Sequence, residues 1–136
     1  MKMLRAIPVL PVKDMKRSLI FYCDILGFSL GHHEKGFAAL YINQVRFLHL
    51  WEASDETWQT RNSLEPIVSG AESFLAGTAS CRIEVAGIDD AYQRMEPLGI
   101  VHPNAPLRDQ WWGERDFGVV DPDNNVITFY EITNSK

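Results

Sequence analysis

The sequence predicts an α+β fold: two βαβββ modules forming a curved mixed sheet around a cleft, with the helices on the outer face. Three observations predict it. First, the order strand, helix, three strands occurs twice along the 136 residues, with strand-period and helix-period apolar patterns in alternation. Second, the two helices close alike, "Leu26-Gly27-Phe28" and "Leu98-Gly99-Ile100", at an offset of 72 (99 minus 27). Third, the next strands open alike, at Phe37-Ala38 and Phe117-Gly118, at an offset of 80 (117 minus 37). The difference of eight residues (80 minus 72) falls in the loop that holds Trp111 and Trp112. Such periods exceed those of solenoid repeats, so the two copies are expected to pair as halves around a shared concave sheet.

The elements follow in order. Residues 4–10, "LRAIPVL", read as a strand. Pro8 removes one ladder donor, which places that strand at an edge or a crossover. Asp14 reads as an N-cap, with Met15, Leu19, Tyr22 and Leu26 at helical spacing behind it and Gly27 at the helix end. Residues 28–33 and 37–42 are strand-like, and "NQ" turns into "VRFLHLW" at 45–51. Residues 52–77 break the pattern and read as a partly ordered linker with a helical turn near 64–68, long for a loop in a compact domain.

The second copy begins at "SCRIEV", where Cys81, Ile83 and Val85 alternate with Ser80, Arg82 and Glu84. Ile88, Ala91, Tyr92 and Met95 make a helix stripe ended by Pro97 and Gly99. A short strand near 100–103, the tryptophan loop, and strands at 115–120 and 125–132 complete it. "DPDNN" supplies the last turn. The expected organisation is one domain, 1–136, made of a first module at 4–51, the linker, and a second module at 78–133.

Composition narrows the function. Hydrophobic residues at 46% and charged residues at 23% are ordinary for a globular chain. A net charge of −5 argues against a phosphate-neutralising surface, so no nucleic-acid partner is expected. It would attract a cationic small molecule. Cys23 and Cys81 lie far apart in apolar patterns and read as free thiols. The opening "MKMLRAIPVLPV" lacks the form of a secretory leader, and no apolar run approaches the ~20 residues of a membrane span. A cytoplasmic protein without a membrane partner is expected.

Alternation sorts the candidate site. In 45–51, Val45 and Phe47 are expected on the helix side, and Arg46, Leu48 and Leu50 toward the cleft. His49 falls on the helix side or at its edge unless the strand slips by one residue, which would reverse every assignment. In the last strand, Ile127 and Phe129 take the helix side, and Val126, Thr128 and Tyr130 the cleft. The four histidines, His32, His33, His49 and His102, do not form the convergent set of three or four donors a divalent metal needs. There is no GxSxG elbow and no glycine-rich phosphate loop. Phe37, Trp51, Trp58, Trp111 and Trp112 stand at strand ends or in loops. A ring pair holding a planar ligand contributes roughly 0.5–1.5 kcal/mol beyond burial. Trp112, followed by Gly113 and set among polar residues, is the prime candidate.

The stretches "AIPVLPVKDMKRSLIFYCDILGF", "FAALYINQVRFL", "GIDDAYQRM" and "WGERDFGVVDPDNNVITF" resemble the bleomycin-resistance proteins of the vicinal oxygen chelate (glyoxalase/bleomycin resistance/dioxygenase) superfamily. The likeness covers the chain outside 52–77. The tail motif, Trp-Gly followed by F-x-x-x-D-P-D-x-N, carries the superfamily, and "AIPVL" the resistance branch.

The resemblance implies a non-catalytic, cofactor-free homodimer that sequesters a bleomycin-type glycopeptide antibiotic, or a similar flat natural product, in clefts between subunits. It implies exchange of the N-terminal strands with Pro8 as the hinge. It implies stacking of the ligand between Phe37 and Trp112; Trp111, an additional ring beside the family's motif, and Trp51 are expected as further walls. Arg46, Arg82 and Glu84 would then supply polar contacts, and Leu48, Leu50, Thr128 and Tyr130 would line the cleft. The metal ligands of the superfamily's enzymes map to Ile7, Leu48 (or His49 after a slip), Ser80 and Thr128, a poor donor set. A metal-dependent enzyme of glyoxalase, thiol transferase or dioxygenase type is the alternative.

Overall fold

The structure is a computed structural model, and it describes residues 1–52 and 75–133. The expected helical turn near 64–68, and most of the linker, lie outside the described residues. The chain divides into two compact units, Met1–Ala79 and Ser80–Lys136. Each is a βαβββ module with its own four-stranded sheet.

In the first unit, β1 (Val9–Val12) leads into a helix, α1 (Met15–Leu19), which continues as a π-helical segment over Ile20–Ile25. Three strands follow: β2 (Ser29–Glu34), β3 (Phe37–Ile42) and β4 (Val45–Glu52). The sheet order is β1-β4-β3-β2, with β1 parallel to β4 and the other pairs antiparallel. The expected edge position of the first strand therefore stands, but the strand begins at Val9, not at residue 4. Pro8 lies just ahead of it, where its carbonyl accepts from the His49 N–H at 3.0 Å. Pro11 sits inside it, tolerated because β1 is hydrogen-bonded on one side only.

Asp14 caps α1 as expected, accepting from the Arg17 N–H at 3.2 Å. The π-helical turn then widens the helix, with the Leu26 N–H donating to the Phe21 carbonyl five residues back. That widening shifts the buried stripe. Ser18, Phe21 and Tyr22 go inside, while Ile20 stays exposed. Gly27 ends the segment at φ +92°. Asn43 and Gln44, both left-handed, make the tight β3–β4 turn.

The second unit repeats the plan. β5 (Ser80–Glu84) leads to α2 (Ile88–Met95), which ends in a 3₁₀ turn at Glu96–Leu98 and left-handed Gly99. β6 (Arg108–Gln110), β7 (Glu114–Val120) and β8 (Val126–Ile132) complete it, in the order β5-β8-β7-β6. The strand expected near 100–103 is reduced to a single bridge between Val101 and Val119, and the module's second strand comes later, at 108–110. Asp121 closes the β7–β8 turn by accepting from the backbone of Asp123 and Asn125 and from the Asn125 side chain, all at 2.8–2.9 Å.

Each sheet buries one face under its own helix. In the first unit Leu10, Val12, Ala38, Leu40, Leu48 and Leu50 form that face with Phe21, Tyr22 and Phe28. In the second, Phe117, Val119, Ile127 and Phe129 pack with Ile88 and Met95. Burying a side chain of this size stabilises by about 1.5–3 kcal/mol. Among the described residues, no helix is long and apolar enough to cross a membrane.

Candidate ligand-binding site

The faces left uncovered by the helices carry the candidate residues. In the first unit the register decides which residues these are. Ile42 pairs with Val45 and Tyr41 with Arg46, but Leu40 pairs with Leu48. Phe47 is thus the extra residue of a β-bulge, and beyond it the alternation is inverted. Leu48 and Leu50 are fully buried on the helix side, so they are not cleft residues, contrary to the simple alternation. His49 takes the cleft side instead. Its ring meets the Phe37 ring edge-on, 4.9 Å between centroids. Phe37 pairs with Trp51, and Val9 with His49.

These residues line a cavity of about 770 Å³: Val9, Phe37, His49 and Trp51 supply the apolar floor, and Glu34, Lys35, Gly36 and Glu52 the rim. His32 adds a ring 6.2 Å from Phe37 and is hydrogen-bonded to Glu34 at 2.9 Å. Burial and the nearby Arg46 charge push the His49 imidazole below its ordinary value of 6.5. Arg46 itself donates twice to the Tyr41 hydroxyl, at 2.9 and 3.1 Å, and lies over the Tyr41 ring. Gly31 leaves the room that ring occupies, since a Cβ there would overlap it. The structure thus ties Arg46 to Tyr41, outside the residues that line the Phe37 cavity.

The second unit presents a polar face. β5–β8 and β7–β8 pairing puts Arg82, Glu84, Thr128, Tyr130, Glu114 and Asp116 on one side. The Arg82 guanidinium lies 4.4 Å over the Tyr130 ring centroid. It donates to Glu114 at 2.6 Å and stands 3.8 Å from Asp116. The hydrogen bond from Arg82 first, and the nearby Trp112 side chain second, hold the Glu114 carboxyl below the usual range. Asp116 accepts from the Gln110 amide at 2.9 Å. Trp111 and Trp112 form the tip of the β6–β7 hairpin, closed by Gly113 at φ +91°. Their rings meet edge to face at 5.5 Å, with Trp111 91% and Trp112 47% exposed.

Pairing also corrects the repeat. Phe37 opposite Trp51 matches Asp116 opposite Tyr130, an offset of 79 (130 minus 51) rather than 80. His49 accordingly corresponds to Thr128, and the residue matching Phe37 is an acid. One module offers rings and the other charges. Sequence reasoning left His49 open and did not single out Glu52, Gln110, Glu114 or Asp116. Their signal was weak, because charged residues at strand ends also read as plain surface.

Of the residues that the resemblance maps to metal ligands, Leu48 is buried on the helix side, and among Ile7, His49, Ser80 and Thr128 His49 alone is a strong donor. Among the described residues no group of three or more His, Cys, Asp or Glu is arranged to hold a metal ion.

The model of the Glyoxalase/Bleomycin resistance protein/Dioxygenase superfamily matches residues 6–129. The chain belongs to that superfamily. Within the superfamily, it is 64% identical over 129 residues to a bleomycin resistance protein of Geobacillus stearothermophilus, covering 95% of this chain and 97% of that one. A bleomycin resistance protein of Staphylococcus aureus is similar to the same degree and extent. Among solved structures, the bleomycin-binding protein of bleomycin-producing Streptomyces verticillus, complexed with copper(II)-bleomycin, superposes with a TM-score of 0.67. That match has 24% identity and covers 100% of this chain and 99% of that one, so it shows a shared fold.

Proposed function

We propose that this protein binds a bleomycin-type glycopeptide antibiotic, or a similarly flat natural product, and withholds it unchanged. One observation carries the reading: 64% identity, over nearly the whole chain, to proteins named for bleomycin resistance. The aromatic cavity of the first unit supports it, because Phe37, His49 and Trp51 form a floor suited to a planar ring system. Glu34 and Glu52 at its rim suit a cationic group, as does the net charge of −5.

Phe37 and Trp112 are the proposed stacking rings, with Trp51 and Trp111 as further aromatic contacts. Arg82, Glu84, Thr128 and Tyr130 are proposed polar contacts. The protein acts as a binder rather than a catalyst, since its donor set at the superfamily's metal positions is reduced to His49. A homodimer is part of the reading. Met3 and Leu4, apolar and exposed in the arm ahead of Pro8, support a second copy as their cover.

Titration with metal-free and copper-loaded bleomycin, followed by tryptophan fluorescence, tests the proposal. Saturable, stoichiometric quenching is expected, and Phe37→Ala should weaken it strongly. An unchanged spectrum at high ligand, or a stoichiometric transition metal in the purified protein, would overturn it.

A further inference from the structure

We infer that Tyr41 and Gln44 form a saccharide subsite in the first unit, separate from the aromatic cavity around Phe37. The inference rests on the reading of the ligand as a glycopeptide, and it gives the sugar of that ligand a place. A second cavity, of about 420 Å³, is lined by Ser29, Leu30, Gly31, Tyr41, Asn43 and Gln44. That size is ordinary for a small-molecule pocket. Tyr41 lies across from Ser29 on β2 and Arg46 on β4. Tyr41 and Phe37 are four positions apart on β3 (41 minus 37) and share its open face. The separation along the strand is about 13 Å. A glycopeptide with its planar part stacked on Phe37 can therefore lay its sugar over Tyr41 without reversing direction.

Three residue choices build this cavity. Gly31 has no side chain, and a Cβ there would overlap the Tyr41 ring. The ring therefore lies across β2, against the Gly31 backbone. Arg46 donates to the Tyr41 hydroxyl at 2.9 and 3.1 Å and fixes the tilt of that ring. The third choice is at the turn. Two-residue hairpin turns of this kind favour glycine at their second position, because a left-handed backbone crowds a Cβ. Gln44 stands there instead, at φ +66°. A side chain kept where glycine is easier points to a use for it, and Gln44 lines the cavity. The donor set names the ligand class. The side chains of Ser29, Asn43 and Gln44 each donate and accept hydrogen bonds and carry no charge. Sugar hydroxyls do both as well. The C–H face of a sugar ring suits the electron-rich face of Tyr41.

Bleomycin and its sugar-free aglycone, titrated separately and followed by tryptophan fluorescence, test the subsite. The wild type should bind bleomycin about 10-fold more tightly than the aglycone, the net worth of one or two hydrogen bonds. Gln44→Gly should bring bleomycin affinity down toward that of the aglycone, with a melting temperature equal to the wild type's or higher, because the left-handed strain is relieved. A residue that served the fold alone would move stability and not the preference. Tyr41→Ala should remove the preference as well. By NMR, the Tyr41 ring protons should shift when bleomycin binds and stay in place when the aglycone binds. Equal wild-type affinity for the two compounds, or a full preference retained in both variants, would overturn the subsite and leave the stacking reading intact. Binding of neither compound would overturn that reading, and the subsite with it.

Discussion

Glu52 and Glu131 hold the same post in the two modules. Each follows the last ring-bearing residue on the open face of its strand, Trp51 or Tyr130, and turns its carboxylate onto the start of its module's helix. Glu52 accepts from the Met15 N–H at 2.9 Å. Glu131 accepts from the Gly87 and Ile88 N–H groups at 3.2 and 3.0 Å. The offset between them is 79 (131 minus 52), the same as for Trp51 and Tyr130. The duplication thus preserves a device that ties the strand bearing the site to the helix that covers the other face. The chemistry is the usual one at helix starts, where unpaired N–H groups and the dipole favour a carboxylate.

The two carboxylates do not matter equally. In the first module Asp14 already caps α1. In the second the capping position is Gly87, which has no side chain to offer. Glu131→Ala should therefore cost about 1 kcal/mol, and Glu52→Ala distinctly less, as measured by urea denaturation. Equal losses would show that Glu131 does not act as the cap of α2.

The bulge at Phe47 makes a second, sharper test. Leu50 is fully buried and Trp51, its neighbour, is 54% exposed. Leu50→Ala should cost about 2–5 kcal/mol. Trp51→Ala should cost much less, while reducing the fluorescence response to ligand. If the strand instead followed unbroken alternation from Val45, Leu50→Ala would be the mild variant with the weakened binding.

That bulge also marks where the sequence stops being legible. Strands with strict alternation were readable to the residue: the faces of Ser80–Glu84 and Val126–Ile132 fall as the pattern implies, because nothing interrupts their period. Punctuation was readable too, as Asp14, Gly27 and the "DPDNN" turn each have a local chemical reason. What failed depends on pairing with distant residues. Phe47 becomes an extra residue only because Leu40 pairs with Leu48. The π-helical segment at Ile20–Ile25 changes the helical period there, and Phe21 goes inside. The first strand starts at Val9 because Val9–Val12 find β4, which no local pattern announces. In the site, Phe37, Trp51, Trp111 and Trp112 stood out as large rings in exposed places. Glu114 and Asp116 did not, since their meaning comes from Arg82, over thirty residues away.

His49 gives the last prediction. Its imidazole lies against Phe37, with Nε2 buried and without a hydrogen-bond partner among the described residues. Burial first, and the Arg46 charge second, lower its pKa from 6.5. For a base lowered in this way, the unfolded chain takes up its proton before the folded one does. The stability tied to His49 is therefore complete above pH 6.5 and is lost as pH falls through the lowered folded value. Protonation would also place a cation in the cavity floor, opposing a cationic ligand. The His49 ring protons should thus titrate below pH 6.5 by NMR, and bleomycin affinity should fall over that same interval. His49→Gln should remove that part of the pH dependence. A titration at or above 6.5 would mean that the ring is hydrated, and that the cavity around Phe37 is wetter than its lining implies.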